Sequence, residues 1–469
     1  MPSEPASMTL LPRTTPEKAG VDPRAVIDLL DAWASQSFEL HSLVLVRRGQ
    51  VFASAAAGPW TLTHPALVYS MSKTFTSAAV GLAVADGAFG YDDPIVDHFG
   101  DLVDERVGPK SRTIRVRDCL AMATGHTTDA IEWLPPIRLS RASIGEFLRR
   151  EPEGTPGETF CYNQLATYTA ATLVHETTGR TVAELIHERV LSRLGIPDLH
   201  WSPDVEGRPL GFSGFHIDPE SLAAWIWLLT NDGVHNGEQL LPREWLDGYR
   251  TKQVDNASVE SNHDWTLGYG WQVWMSSSGH RADGAMGQYG LMLPERELAV
   301  IITGSVDDMQ PPLTAVWDHL LPGVDRAPEP GARAELDARL AELCVPPVGG
   351  DILPGAAWAG IDASGSSMTL TPDGDGWELT WFESDGASNR FAIGHGAWAR
   401  TTVHWPEGTH LDVATSGGWV DGDTFVARIA CLDTPHTAIL TLGSTASLAW
   451  ALPPLGPVTL RQLAVPDEA

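Results

Sequence analysis

The stretch "LVYSMSKTFTSAAVGLAVADG", Leu67–Gly87, sets a hydroxyl, Ser70, three residues ahead of an amine, Lys73, at the mouth of a helix-like run of small apolar residues. Residues three apart on a helix lie on one face about a turn from each other, so Ser70 and Lys73 can share a pocket while Ser72 faces elsewhere. Lysine is rare here: Lys18, Lys73, Lys110 and Lys252 are the only ones among 31 lysines and arginines. Arginine cannot give up its proton in a protein, whereas a partly buried lysine can, so a site that needs a removable amine proton has to keep Lys. A serine hydroxyl is a poor nucleophile until a base takes its proton, and lysine becomes that base when desolvation lowers its pKa. The helix N-terminus adds free N–H groups able to stabilise an oxyanion. Taken alone, the tetrapeptide equally fits an N-cap serine followed by a surface lysine.

The chain around it is long enough, at 469 residues with 43% hydrophobic content, to bury a sizeable core and to form two domains. A net charge of -29 and a pI near 4.8 argue against nucleic acid or an anionic membrane surface as partner. The start, "MPSEPASMTLLPRTTPEKAG", lacks the cationic patch and apolar run of a secretory leader, and no stretch approaches the length of a membrane span. Cys119, Cys161, Cys344 and Cys431 are scattered without C-x-x-C spacing and read as reduced, mostly buried side chains. A soluble cytoplasmic protein is the simplest expectation.

Residues 42–57, "SLVLVRRGQVFASAAA", are two β-prone runs around an Arg-Gly turn. From about Val116 to Arg193 the periodicity is helical, with "TYTAATLVHETTG" and "TVAELIHERVLSRLG" each closed by a glycine. Extended runs return in "WTLGYGWQVWMSSSG", "HRADGAMGQYGLML" and "ELAVIITGS", so one sheet is expected to be built from both ends of the segment. A Pro- and Gly-punctuated connector with one short helical run, 326–349, then separates residues 1–325 from a β-rich region, 350–469. There, segments such as "GWELTWF", "TFVARIACL" and "TAILTLG", spaced about ten residues apart, predict an all-β sandwich or small barrel.

The first stretch, extended to "VYSMSKTFTSAAVGLAVADGAFGYDDPI", resembles the active-site helix of the class C β-lactamase and penicillin-binding-protein-like serine hydrolases. Three further segments match in order and separation over roughly residues 15 to 322: "VRDCLAMATGH", "GETFCYNQLATYTAATLVHETTGRTVAELIHERVLSRLGI" and "HRADGAMGQYGLMLPERELAVIITG". The resemblance implies an α/β (α+β) domain with an antiparallel sheet and a helical subdomain. It implies that Ser70 is acylated, that Lys73 assists, and that Tyr162 is the second proton-transfer partner; Tyr168, inside its helix, reads as core. The family's Y-x-N is here Tyr162, Asn163, Gln164, which leaves either Gln164 or Asn163 to contact substrate. The family's K-T-G aligns with Ala282, Asp283, Gly284. Gly284 keeps the close backbone approach, and Ala285 inherits the second oxyanion N–H beside that of Ser70. The lysine is lost, so a β-lactam carboxylate has no fixed counter-charge and efficient antibiotic hydrolysis is not expected. His280, two residues before Ala282 on a strand, is a candidate replacement cation; His126, Trp133, Trp271 and Trp274 are candidate pocket walls.

Other chemistries lack their motifs. "HETTG" and "HERV" have no second histidine for zinc, no G-x-S-x-G elbow occurs, and "GAFG" and "GQYG" lack phosphate-loop spacing. No metal and no cofactor are expected. The expected activity is hydrolysis of small-molecule esters or amides, a carboxylesterase ahead of an amidase or D-amino-acid-type peptidase. A fold retained as a non-catalytic ligand-binding protein is the alternative from another class. The sequence leaves the oligomeric state open.

Overall fold

The computed structural model describes residues 10–36, 38–132, 139–353, 355–363, 365–383, 385–456 and 459–467. Its centre is a six-stranded sheet made from both ends of the first 305 residues. Strands β1 (Glu39–Arg47) and β2 (Gln50–Ala56) form the early hairpin; β3 (Trp274–Met275), β4 (His280–Gly284), β5 (Gln288–Leu293) and β6 (Leu298–Ser305) return late. The order is β2-β1-β6-β5-β4-β3, every neighbouring pair antiparallel, with Val44 opposite Ile301 where the two ends of the segment meet.

Side-chain alternation divides the sheet between two cores. Leu43, Leu45, Leu291, Val300 and Ile302 face helix α1 (Pro23–Ser35), which buries Ile27, Leu30 and Trp33 on them. Val44, Val46, Met292, Ala299 and Ile301 belong to the opposite core, with the helical part of the chain. Asp22 caps α1 through Arg24 N, and Pro23 sits at the first turn, where its missing N–H costs nothing.

Helix α2 (Ser72–Ala85) lies inside the second core and is buried almost all round, its first turns polar and the rest built of small apolar residues. Its small residues permit that enclosure: a Cβ on Gly81 would lie 2.5 Å from the Trp245 ring. Helix α3 (Gln164–Thr178), capped by Asn163 and closed by Gly179 at φ 70°, packs on α2, and α4 (Pro219–Thr230) covers β5 and β6.

One extended expectation fails. Of "WTLGYGWQVWMSSSG" only Trp274–Met275 is a strand, and the rest is turns and a 3₁₀ segment, His263–Trp265. Gly268 (φ 110°) and Gln272 (φ 64°) take left-handed conformations that break a ladder, and a Cβ on Gly270 would lie 2.1 Å from the Tyr249 carbonyl.

The connector is more than a spacer. Helix α5 (Ala332–Ala341) packs on α1, burying Ala332 and Leu336, and Glu335 pairs with Arg24. Beyond it stand two antiparallel sheets. One is β7 (Trp358–Ile361), β8 (Ser367–Asp373), β9 (Gly376–Phe382) and β10 (Ser388–Ile393). The other is β11 (Ala399–Trp405), β12 (Thr409–Trp419), β13 (Phe425–Cys431), β14 (Thr437–Leu442) and β15 (Ala446–Trp450), with β16 (Val465–Pro466) pairing with β12. They share one apolar core without closing into a barrel among the described residues. No helix among the described residues is long and apolar enough to cross a membrane.

Candidate active site

Tyr69–Met71 form a single 3₁₀ turn that leads into α2, so Ser70 stands at the helix entrance and Lys73 in the first turn. The first N–H of this turn to find an acceptor is that of Met71, on Val68 O at 3.2 Å. Ser72 turns away, its hydroxyl donating to Tyr69 O and accepting from Phe215 N.

Lys73 is 1% exposed, and its Nζ donates to Ser70 Oγ at 3.0 Å, Gln164 Oε1 at 2.7 Å and Phe212 O at 2.9 Å. Three acceptors match the three hydrogens of the ammonium. Burial nevertheless lowers its pKa to about 7, with Asp129 and Asp283 pulling the other way. The Tyr162 ring lies 4.6 Å from Lys73 Nζ, and its hydroxyl is close enough to the Ser70 side chain to interact with it electrostatically without a closed hydrogen bond. Burial raises the phenol well above its ordinary value, and Asp283, Asp129 and Glu260 push it further the same way. The ring is clamped by Trp274, stacked at 5.2 Å, and by Tyr269, edge-on at 6.0 Å.

The two amides are placed differently. Asn163 is buried at the start of α3, its Oδ1 taking Leu165 N at 3.0 Å, while Gln164 reaches the lysine. Where the helix begins therefore decides which of the two amides faces Lys73.

Strand β4 passes directly beside the nucleophile turn: a Cβ on Gly284 would lie 2.1 Å from Val68 O. Ala285 follows it, half-buried, in the three-residue loop before β5. Ala282 is buried in the helical-side core and brings no charge. His280 does not replace the lost lysine. It is buried edge-on to Tyr249 at 5.8 Å, and burial lowers its pKa to about 4, so it is neutral. The strand's one cation, Arg281, is fully buried and committed to Asp283 at 3.0 Å, to Asp264 O and Met275 O, and to Ser276 Oγ.

His126 also turns from the cleft, bonding Thr124 Oγ1 and Arg150 O beneath Phe147. Trp271 packs on Tyr91 in the core, and Tyr168 is core with its hydroxyl on Asp204. Trp133 lies outside the described residues. Sequence reasoning missed Phe212 O, which no motif marks, and Asp129, whose Oδ1 accepts Gln164 N at 2.9 Å. It also passed over Asp283 as an acid beside Lys73, although its place inside the K-T-G alignment was the available signal.

A buried amine on a serine at a helix entrance, flanked by a tyrosine and by strand β4, defines a serine-hydrolase-like fold of the penicillin-recognising type. The sequence pattern of the beta-lactamase family matches residues 31–320, and the chain belongs to that family. It is 21% identical over 273 residues to an uncharacterised protein of Alkalihalophilus pseudofirmus, covering 52% of this chain and 72% of the other. Among solved structures, the octameric penicillin-binding protein homologue from Pyrococcus abyssi aligns over 90% of this chain and 98% of its own, with TM-score 0.50 and 14% identity. SurE aligns over 92% and 99%, with TM-score 0.51 and 17% identity. A candidate 6-aminohexanoate-dimer hydrolase from Bacillus anthracis aligns over 71% and 88%, with TM-score 0.52 and 17% identity.

Proposed function

We propose that this protein is a serine hydrolase that cleaves small carboxylic esters through an acyl-enzyme on Ser70. The observation that carries the reading is the buried Lys73 amine 3.0 Å from the serine oxygen, with its pKa lowered to about 7 by burial. Near neutral pH a large fraction of that amine is unprotonated and can take the hydroxyl proton as Oγ attacks the substrate carbonyl. Tyr162, kept as a neutral phenol, then hands a proton to the leaving alkoxide and recovers one from Lys73. The C–O bond breaks, the alcohol departs, and the acyl group remains on Oγ. Water repeats the sequence: its oxygen joins the acyl carbon, the bond from that carbon to Oγ breaks, the water's proton reaches Oγ through the same pair, and the carboxylic acid departs with Ser70 restored. The N–H groups of Ser70 and Ala285 are the oxyanion donors in this reading, which the approach of Gly284 to Val68 O supports.

Gln164 holds the lysine, and the rings of Tyr162, Trp274 and Phe212 make its surroundings apolar, which suits an apolar acyl or alcohol group. An amidase on the same machinery is the second reading, favoured by the fold shared with a candidate 6-aminohexanoate-dimer hydrolase. Hydrolysis of p-nitrophenyl acetate and butyrate by wild type and Ser70→Ala tests the proposal. A loss of at least about 10³-fold in the variant is expected. Equal rates in the two proteins point instead to a binding protein. The matching p-nitroanilides separate ester from amide preference.

A further inference from the structure

Tyr69, the residue before Ser70, has φ 48°. A bulky side chain rarely adopts this left-handed conformation, and it persists only where the surroundings over-determine it. The surroundings come from the far end of the chain. The turn between β13 and β14, Cys431 to His436, enters beside residues 67–69. There Asp433 O accepts Leu67 N at 2.9 Å, and His436 Nε2 meets Tyr69 Oη at 2.5 Å, both rings buried and edge-on at 5.8 Å.

This contact has a direction. His436 Nδ1 lies 3.3 Å from Leu452 O, which can only accept, so Nδ1 carries the proton and Nε2 takes the Tyr69 hydroxyl hydrogen. The turn is itself fixed: Cys431 N donates to His436 O at 2.9 Å. The Asp433 carboxylate receives Asp412 N at 2.6 Å and faces His64 Nε2 at 2.8 Å. Thus the backbone just ahead of the serine is gripped at two points by a strand-to-strand turn more than 360 residues later in the chain.

We propose that Tyr69 and His436 are positioning residues, through which the C-terminal β region holds the Ser70 turn in its reactive conformation. The inference rests on the reading of Ser70 as the acylated residue. Freed from His436, Tyr69 can relax toward an ordinary backbone conformation, carrying Ser70 Oγ off the Lys73 amine and Ser70 N–H off the oxyanion position. Misplacement of a reacting atom by about an ångström costs on the order of 10²-fold in rate.

The test uses the full chain, with Tyr69→Phe, His436→Phe, His436→Gln and, as a control, Arg428→Ala. Arg428 pairs with Glu39 elsewhere between the two regions, so its loss loosens docking without touching the turn. The readouts are kcat and KM for p-nitrophenyl butyrate and the limiting rate of fluorophosphonate labelling. Both are measured at 15 °C and normalised to the folded fraction by circular dichroism. Expected are a fall of roughly 10- to 100-fold in kcat and labelling rate for Tyr69→Phe and His436→Phe, with KM within about twofold. His436→Gln, which retains an acceptor, recovers most of the rate, and Arg428→Ala stays at the wild-type value.

Rates within about twofold of wild type in both Phe variants overturn the positioning role while leaving the serine reading intact, provided Ser70 is labelled in wild type. An equal loss in Arg428→Ala also overturns it, because the effect is then general docking. Failure of wild-type Ser70 to label removes both readings together.

Discussion

At the scale of the residue, the site turns on a lysine that the fold has taken out of water. Its pKa is lowered by burial to about 7, so the folded state disfavours the charged form, and the base is the neutral amine. Activity therefore rises as pH rises through about 7 and levels off above it, since the Tyr162 phenol titrates far higher. Lys73→Arg keeps a cation that cannot deprotonate. It should lose roughly 10²- to 10⁴-fold in kcat/KM and lose the ascending limb with it, measured from pH 5 to 9 on p-nitrophenyl butyrate. A variant that keeps the limb at the same pH assigns the titration to another group. The Ser70–Lys73 spacing is legible in the sequence because helical geometry is local. The choice between Asn163 and Gln164 is not, because it depends on which residue caps α3, and capping is settled by what surrounds the helix start. His280 was misread for the same reason: strand alternation places it beside Ala282, but only tertiary packing reveals Tyr249 against it.

At the scale of the element, strand β4 and the nucleophile turn are pressed together where one residue lacks a side chain. Gly284→Ala puts a methyl 2.1 Å from Val68 O, an obstacle of backbone rather than of a flexible side chain, with Gln288 Cβ at 3.2 Å. The variant should lose at least about tenfold in kcat/KM and about 1–3 kcal/mol of stability, read by steady-state kinetics and urea unfolding. Wild-type activity in Gly284→Ala means that the strand does not build the site. The hairpin, the glycine-closed helices and the returning strands are legible in the sequence, since their patterns are local and bounded by turn residues. The segment from Trp265 to Gly279 is not, because aromatic and β-branched residues there pack a buried loop whose path is set by Gly268, Gly270 and Gln272. Propensity yields to tertiary context in such a place.

At the scale of the whole molecule, a net charge of -29 surrounds a cleft whose nearby carboxylates include Asp129, Asp283 and Glu260, and the strand's cation is buried in a pair. Anionic substrates meet an unfavourable field and find no counter-charge at Ala282. Mono-p-nitrophenyl succinate should be hydrolysed roughly three- to tenfold more slowly than p-nitrophenyl butyrate at low salt, and nitrocefin slowly as well. The gap between the two esters should narrow as salt shortens the screening length to about 8 Å near physiological strength. A faster anionic ester contradicts this electrostatic account. The strand-rich C-terminal region is visible in the sequence, but its reach to Tyr69 is not, since contacts across most of the chain leave no local pattern.

The most direct measurement is a peptide map by mass spectrometry after treatment with a fluorophosphonate at neutral pH. If a serine oxygen is activated by the amine one turn onward, a single phosphonyl adduct falls on Ser70, is absent from Ser70→Ala, and forms much more slowly in Lys73→Arg. An adduct on another residue, or equal labelling with and without the Lys73 amine, contradicts that claim.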